Sequence, residues 1–211
     1  MRWRLQLDWA NVHLSKHRVE ALSDGLFAIV MTLLVLELKV PELPRSTPDY
    51  QILARLRELG PSFFTFFLTF VLSAVFWFLH HLVSQFTRHL TRGLIFLNLI
   101  FLMFVSLLPF SAGMLGRFLH SQVAACIYYG NQFVIGTALF IQWEYARRHK
   151  LITEDVDPLF ESRLSLRLIR LPLGCAGAFG LALVRPELAF AGFAAAIAII
   201  SLISRVRSAT R

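Results

Sequence analysis

RVEALSDGLFAIVMTLLVLELKVPE, from Arg18 to Glu42, decides how the rest of the sequence is read. Arg18, Glu20, Ser23 and Asp24 crowd its start, and an apolar run then continues to Leu38. A helix needs about 20 mostly apolar residues to cross hydrocarbon. The buried face of a soluble helix alternates instead with polar positions every turn or two. The segment 21–38 therefore reads as a membrane-spanning helix with its polar groups at one boundary.

Five further blocks repeat the pattern, at 62–82, 94–112, 123–143, 168–184 and 188–203. The last two are separated only by Arg185-Pro186-Glu187, which suits a tight helical hairpin with Pro186 in the first turn of the sixth helix. Of the 211 residues, 56% are hydrophobic and 20 are Phe, and the mean hydropathy is +0.62. Soluble domains sit nearer ~45–50% apolar. The expected fold is all-α: one polytopic membrane domain over 1–211 with six transmembrane helices, surrounded by the lipid bilayer.

A net charge of +8 invites a nucleic-acid partner. The basic residues sit at block edges, however, not along one face with interleaved aromatics, so no nucleic acid is expected. With the N-terminus inside, the outer loops hold only Lys39, Arg45, Arg55, Arg57, Arg117 and Arg185 of the 21 Lys and Arg. The excess on the other side places both termini in the cytoplasm. The N-terminal stretch MRWRLQLDWANVHLSKHR lacks a continuous apolar core, so no cleavable signal peptide is expected. Cys126 and Cys175 lie inside apolar blocks and read as small hydrophobes. Residues 49–59 of the first outer loop read as a short amphipathic helix with Asp49 as N-cap. Trp3, Trp9 and Trp143 are candidate interfacial anchors.

Asp24 within the bilayer boundary needs a partner. Arg18, His80, His81 and Asn98 are the candidates. It is either a staple between helices or a proton or cation ligand, and helix geometry favours the staple. At about 100° per residue, Asp24 lies about 140° around the helix from Ile29. Leu33 and Leu36 fall within about 40° of Ile29, and Thr32 within about 60°. One face thus carries Ser23 and Asp24 into the bundle, and another presents an apolar stripe. Spacing alone makes that stripe ordinary packing. His80 and His81 point about 100° apart and make a poor metal pair, so a hydrogen-bonding role is expected. No protease, P-loop or dinucleotide motif is present, and no enzyme is expected.

The first helix resembles the Arg-x-x-x-Phe-Ser-Asp signature of the transmembrane protein 175 family of potassium channels, in its bacterial branch. FWFLHH (Phe76 to His81) is similar to that family's Trp and His cluster, and LNLIFLMFVSLLPF (Leu97 to Phe110) to its third helix. The resemblance covers roughly the first 110 residues closely and the remainder by topology. One departure is Leu22, where the signature has Phe. The resemblance implies a homotetramer in a bacterial cell membrane, with the first helices lining a central potassium pore. It implies Ile29, Leu33 and Leu36 as an apolar constriction and Thr32 as the hydroxyl linked to potassium preference. Arg18, Ser23, Asp24, His80, His81 and Asn98 would form a structural polar network. No cofactor or bound metal is implied beyond the permeant potassium ion. TVGYG is absent, so a carbonyl filter is not expected. Tyr128-Tyr129-Gly130 lies inside an apolar block and reads as packing. The alternative function is a small secondary transporter or proton pathway built on Asp24 and His80 or His81. Mismatched halves count against it.

Overall fold

The computed structural model describes residues 15–185 together with 188 and 189. Helix α1 (Lys16–Leu33) runs into a 3₁₀ turn, Leu34–Glu37. Then follow α2 (Asp49–Glu58), α3 (Gly60–Gln85), α4 (Arg92–Ser106), α5 (Leu108–Arg117), α6 (Gln122–Arg148) and α7 (Pro158–Ala182). With α4 and α5 counted as one, five spans of 22 to 27 residues among the described residues are long and apolar enough to cross a membrane. They correspond to the first five expected blocks. The sixth, 188–203, lies almost wholly outside the described residues. No strand forms among those residues, and one isolated antiparallel bridge joins Thr87 to Ile152.

The boundaries have local causes. Pro109 has no N–H to give to the carbonyl of Val105, so the third span breaks at Leu107 and restarts as α5. The expected single helix is therefore two. Thr91, Ser121 and Asp157 accept backbone N–H groups at the starts of α4, α6 and α7. Asp157 and Pro158 begin α7 ten residues before the expected apolar block, so its first half carries Glu161, Arg163, Arg167 and Arg170 and its second half the apolar run. The amphipathic helix forms as expected, but Pro48 occupies the N-cap position and Asp49 is its first helical residue.

The core has two layers. Phe27, Val30, Phe76, Phe101, Leu139 and Trp143 pack α1, α3, α4 and α6 together. Leu34, Leu72, Leu115, Tyr128 and Cys175 form the second layer. Trp143 is fully buried, and its indole N–H donates to Ser165 Oγ at 2.7 Å. It is a core residue, not an interfacial anchor; Trp3 and Trp9 lie outside the described residues. Tyr128 is buried with its hydroxyl 3.1 Å from Thr69 Oγ1, as a packing residue should be. The α6 and α7 helices approach closely where Gly136 faces Pro172; a Cβ on Gly136 would sit 3.0 Å from the proline ring.

Buried hydroxyls on α3 look after themselves. Thr65, Thr69 and Ser73 each donate to the carbonyl four residues back, at 2.7 to 2.9 Å. Large apolar side chains such as Phe67, Phe78, Phe96 and Met103 are exposed. Lipid is their natural solvent, since soluble monomers rarely expose apolar patches on that scale. At one end of the bundle, Lys16 Nζ donates to Thr87 O at 2.8 Å, and Arg88 pairs with Glu154 at 3.3 Å. The start of α1, the α3–α4 connection and the α6–α7 connection thus meet on one side. They carry the basic excess that the sequence assigns to one compartment.

Candidate ion pathway

The α1 helix has two faces because two periodicities share it. Ser23, Phe27, Val30 and Leu34 recur every three or four residues and are buried. Ile29, Leu33 and Leu36 lie on the other side, with 60%, 41% and 67% of their surfaces exposed. An apolar stripe on the outside of a subunit has three possible neighbours: lipid, another subunit or a pore. Thr32 shares this exposed side. Its hydroxyl donates to the carbonyls of Ile29 (2.7 Å) and Ala28 (3.1 Å). A hydroxyl has one hydrogen and two lone pairs. With the hydrogen turned to the backbone, the oxygen offers lone pairs outward, the polarity that suits a cation.

The polar group divides into two parts. The buried part runs from α3 to α1 through α4. His80 Nε2 lies 2.8 Å from Asn98 Oδ1, and Asn98 Nδ2 donates to Ser23 Oγ at 3.2 Å. Since Oδ1 only accepts, Nε2 carries the hydrogen. Ser23 passes its own hydrogen to Val19 O at 3.0 Å. The His80 ring stacks on Phe101, with centroids 5.1 Å apart and planes 5° from parallel. One bridging amide thus fixes three helices against one another. A cavity of about 20 Å³ beside it is lined in part by Glu20, Ser84 and Gln142, with room for one water.

The second part is on the outside. Asp24 is exposed, and its Oδ1 accepts from the indole N–H of Trp77 at 2.9 Å. The sequence reading put Asp24 inside the bundle with Arg18, His80, His81 or Asn98; its partner is Trp77. Arg18 is exposed, and its side chain makes no ion pair or hydrogen bond among the described residues. His81 stacks on Trp77 with centroids 6.0 Å apart and does not join the buried chain. FWFLHH contained the missed partner, but one helix's periodicity does not say which residue of another it meets. Trp77→Phe should remove this hydrogen bond at a cost of about 1 kcal/mol. The unfolding midpoint of the purified protein should then fall by about 2–4 °C.

The turn that closes α1 does not aim its acid at the stripe. Glu37 turns toward α5, where a side chain at Gly113 would overlap its carboxyl. No group of three His, Cys, Asp or Glu that could hold a metal ion occurs among the described residues.

Residues 18–109, from α1 into the first turn of α5, match the family described as the endosomal/lysosomal potassium channel TMEM175. A potassium channel of Streptomyces collinus is 33% identical over 181 residues, which cover 82% of this chain and 85% of that protein. The endosomal/lysosomal proton channel TMEM175 of Gallus gallus is 36% identical over 121 residues, covering 53% of this chain and 24% of that protein. The crystal structure of a lysosomal potassium-selective channel TMEM175 homologue from Chamaesiphon minutus has a similar fold. Its TM-score is 0.74 at 28% identity, over 90% of this chain and 97% of that one. With most of both chains matched in sequence and in fold, this protein belongs to the TMEM175 family.

Proposed function

We propose that four copies of this chain assemble around a central pore and conduct potassium passively across a bacterial cell membrane, with both termini in the cytoplasm. The observation that carries this reading is the exposed stripe of Ile29, Leu33 and Leu36 on a spanning helix whose opposite face is locked into its own subunit. Four Ile29 side chains form the narrowest ring, and Leu33 and Leu36 extend it outward. Such a ring closes by dewetting, and a small rotation or tilt of α1 wets it again. Apolar groups cannot replace an ion's hydration shell. Selectivity therefore depends on hydration and on the four Thr32 oxygens. The relatives are channels, and no enzymatic activity is assigned.

Purified protein in liposomes should dissipate a potassium gradient with no coupled ion or substrate. A requirement for a sodium or proton gradient would overturn the channel reading. Thr32→Ala, which removes all four hydroxyls, should leave the flux in place and lower the potassium-to-sodium permeability ratio about two- to fivefold, a loss of discrimination of about 0.5–1 kcal/mol in total. Permeability ratios from reversal potentials in planar bilayers measure it.

A second reading, a proton pathway or small transporter, draws support from the cavity beside His80 and from the proton-channel relative. Asp24 and His80 are not bonded to each other, which weakens the form that needs both. This reading expects Asp24→Asn to abolish transport with assembly intact. The pore reading expects the variant to keep its potassium flux.

A further inference from the structure

The α7 helix carries a feature that conduction does not use. Arg163, Arg167 and Arg170 are spaced by four and three residues. Such spacing puts them within about 60° of one another on one face. The opposite face is occupied by α6: Arg147 bonds Glu161, Trp143 bonds Ser165, and Gly136 packs on Pro172. The arginine face is therefore turned away from the neighbour that holds α7 in place. Arg163 and Arg167 are exposed, and Arg170 is half-buried.

None of the three has a carboxylate partner among the described residues. Arg147, by contrast, takes both Glu144 and Glu161. The charged neighbour of Arg170 is another cation, Arg167. Beyond the described residues the sequence holds only two acidic side chains, Asp8 and Glu187, and Glu187 follows the far end of α7. The chain does not supply a matching set of anions. Yet all three arginines stand on one helix, Pro158–Ala182, whose apolar run is long enough to cross a membrane. Arg170 stands about 18 Å along it from Pro158.

A guanidinium at that level extends toward the headgroups and keeps its stem in hydrocarbon. Phosphate oxygens match its planar fork. The helix also supplies a place for the chains of the ligand: Leu166 and Leu173 are exposed on the flank of the arginine face. We propose that Arg163, Arg167 and Arg170 bind the phosphate of an anionic membrane lipid, in the leaflet on the side where α6 and α7 are joined. The apolar flank favours a lipid over free phosphate.

Native mass spectrometry of the full chain in detergent, titrated with phosphatidylglycerol or phosphatidylcholine, tests this without reference to conduction. The wild-type protein should retain phosphatidylglycerol in preference. Each arginine should contribute about fivefold, so the Arg163→Gln, Arg167→Gln, Arg170→Gln variant should lose most of the preference. The corresponding triple Lys variant should keep much of it. Equal retention of the two lipids by wild-type protein overturns the proposal, and that arm needs no variant to fold. An unchanged preference in the folded Gln variant overturns the location. Displacement of the lipid by millimolar inorganic phosphate overturns its identity.

Discussion

Ile29→Asn should raise potassium flux through the reconstituted protein roughly tenfold, equivalent to a barrier lower by about 1.4 kcal/mol. Four branched apolar side chains around a narrow ring exclude water, and an ion crossing that ring loses hydration it cannot replace. Asn is smaller in apolar surface and brings a carbonyl and an amide from each subunit. The ring wets, and the ion keeps partners throughout. Discrimination between potassium and sodium should fall in the same variant, because a wet ring lets each ion pass with its shell. The fold itself should hold, since Ile29 is 60% exposed on its own subunit and packs into neither core layer. Single-channel recording in a planar bilayer measures both quantities. An unchanged current and an unchanged reversal potential would remove Ile29 from the conduction path.

Asn98→Leu should be the most damaging change in the buried polar chain. Leu has the branching of Asn and suits its apolar surroundings, but it can neither accept from His80 nor donate to Ser23. His80 Nε2–H is left unpaired in a site that is 6% exposed. An unsatisfied buried donor costs about 1–3 kcal/mol. Interhelical hydrogen bonds in membranes average about 0.6 kcal/mol, because the unfolded chain in lipid finds other partners. A loss of about 2 kcal/mol, or an unfolding midpoint lower by about 4–8 °C, is the expected result. The double variant Asn98→Leu with His80→Phe should recover part of that loss, because it leaves no orphaned imidazole. A midpoint equal to that of wild type in the single variant would show that the bridge contributes nothing to stability.

The fold was legible where hydrophobicity alone decides it. Each of the first five blocks became a spanning helix because unbroken apolar length has no other stable outcome in lipid. The errors came from signals that run against apolar length. Pro109 cuts α4 from α5 inside an apolar block, and Asp157-Pro158 starts α7 well before its apolar part. Both are visible in the sequence as a helix breaker and a capping pair. A window of hydrophobicity averages them away.

The candidate site was legible only in part. Rotation about α1 separated Ile29, Thr32, Leu33 and Leu36 from the buried Ser23, since that depends on one helix. The partner of Asp24 depends on the register between α1 and α3, which no single-helix pattern contains. Trp77 was therefore missed, and Asp24 was placed too deep. Asn98 was named as a candidate, but its position between His80 and Ser23 follows from three helices at once. The roles assigned to the exposed stripe rest on a neighbouring subunit, which one chain cannot supply.

Helices enter the bilayer from the translocon before all their final neighbours are present, and α3 is suited to that order. Its interior hydroxyls, Thr65, Thr69 and Ser73, are already bonded to their own backbone. That half of the segment meets hydrocarbon with its polar groups already satisfied, whereas His80 in the other half finds its partner only in Asn98. Asn98 on α4 has no such local bond, for its amide reaches only to α1 and α3. The α4 helix should thus leave the translocon in the company of α1 and α3, the two spans that hold both ends of its amide.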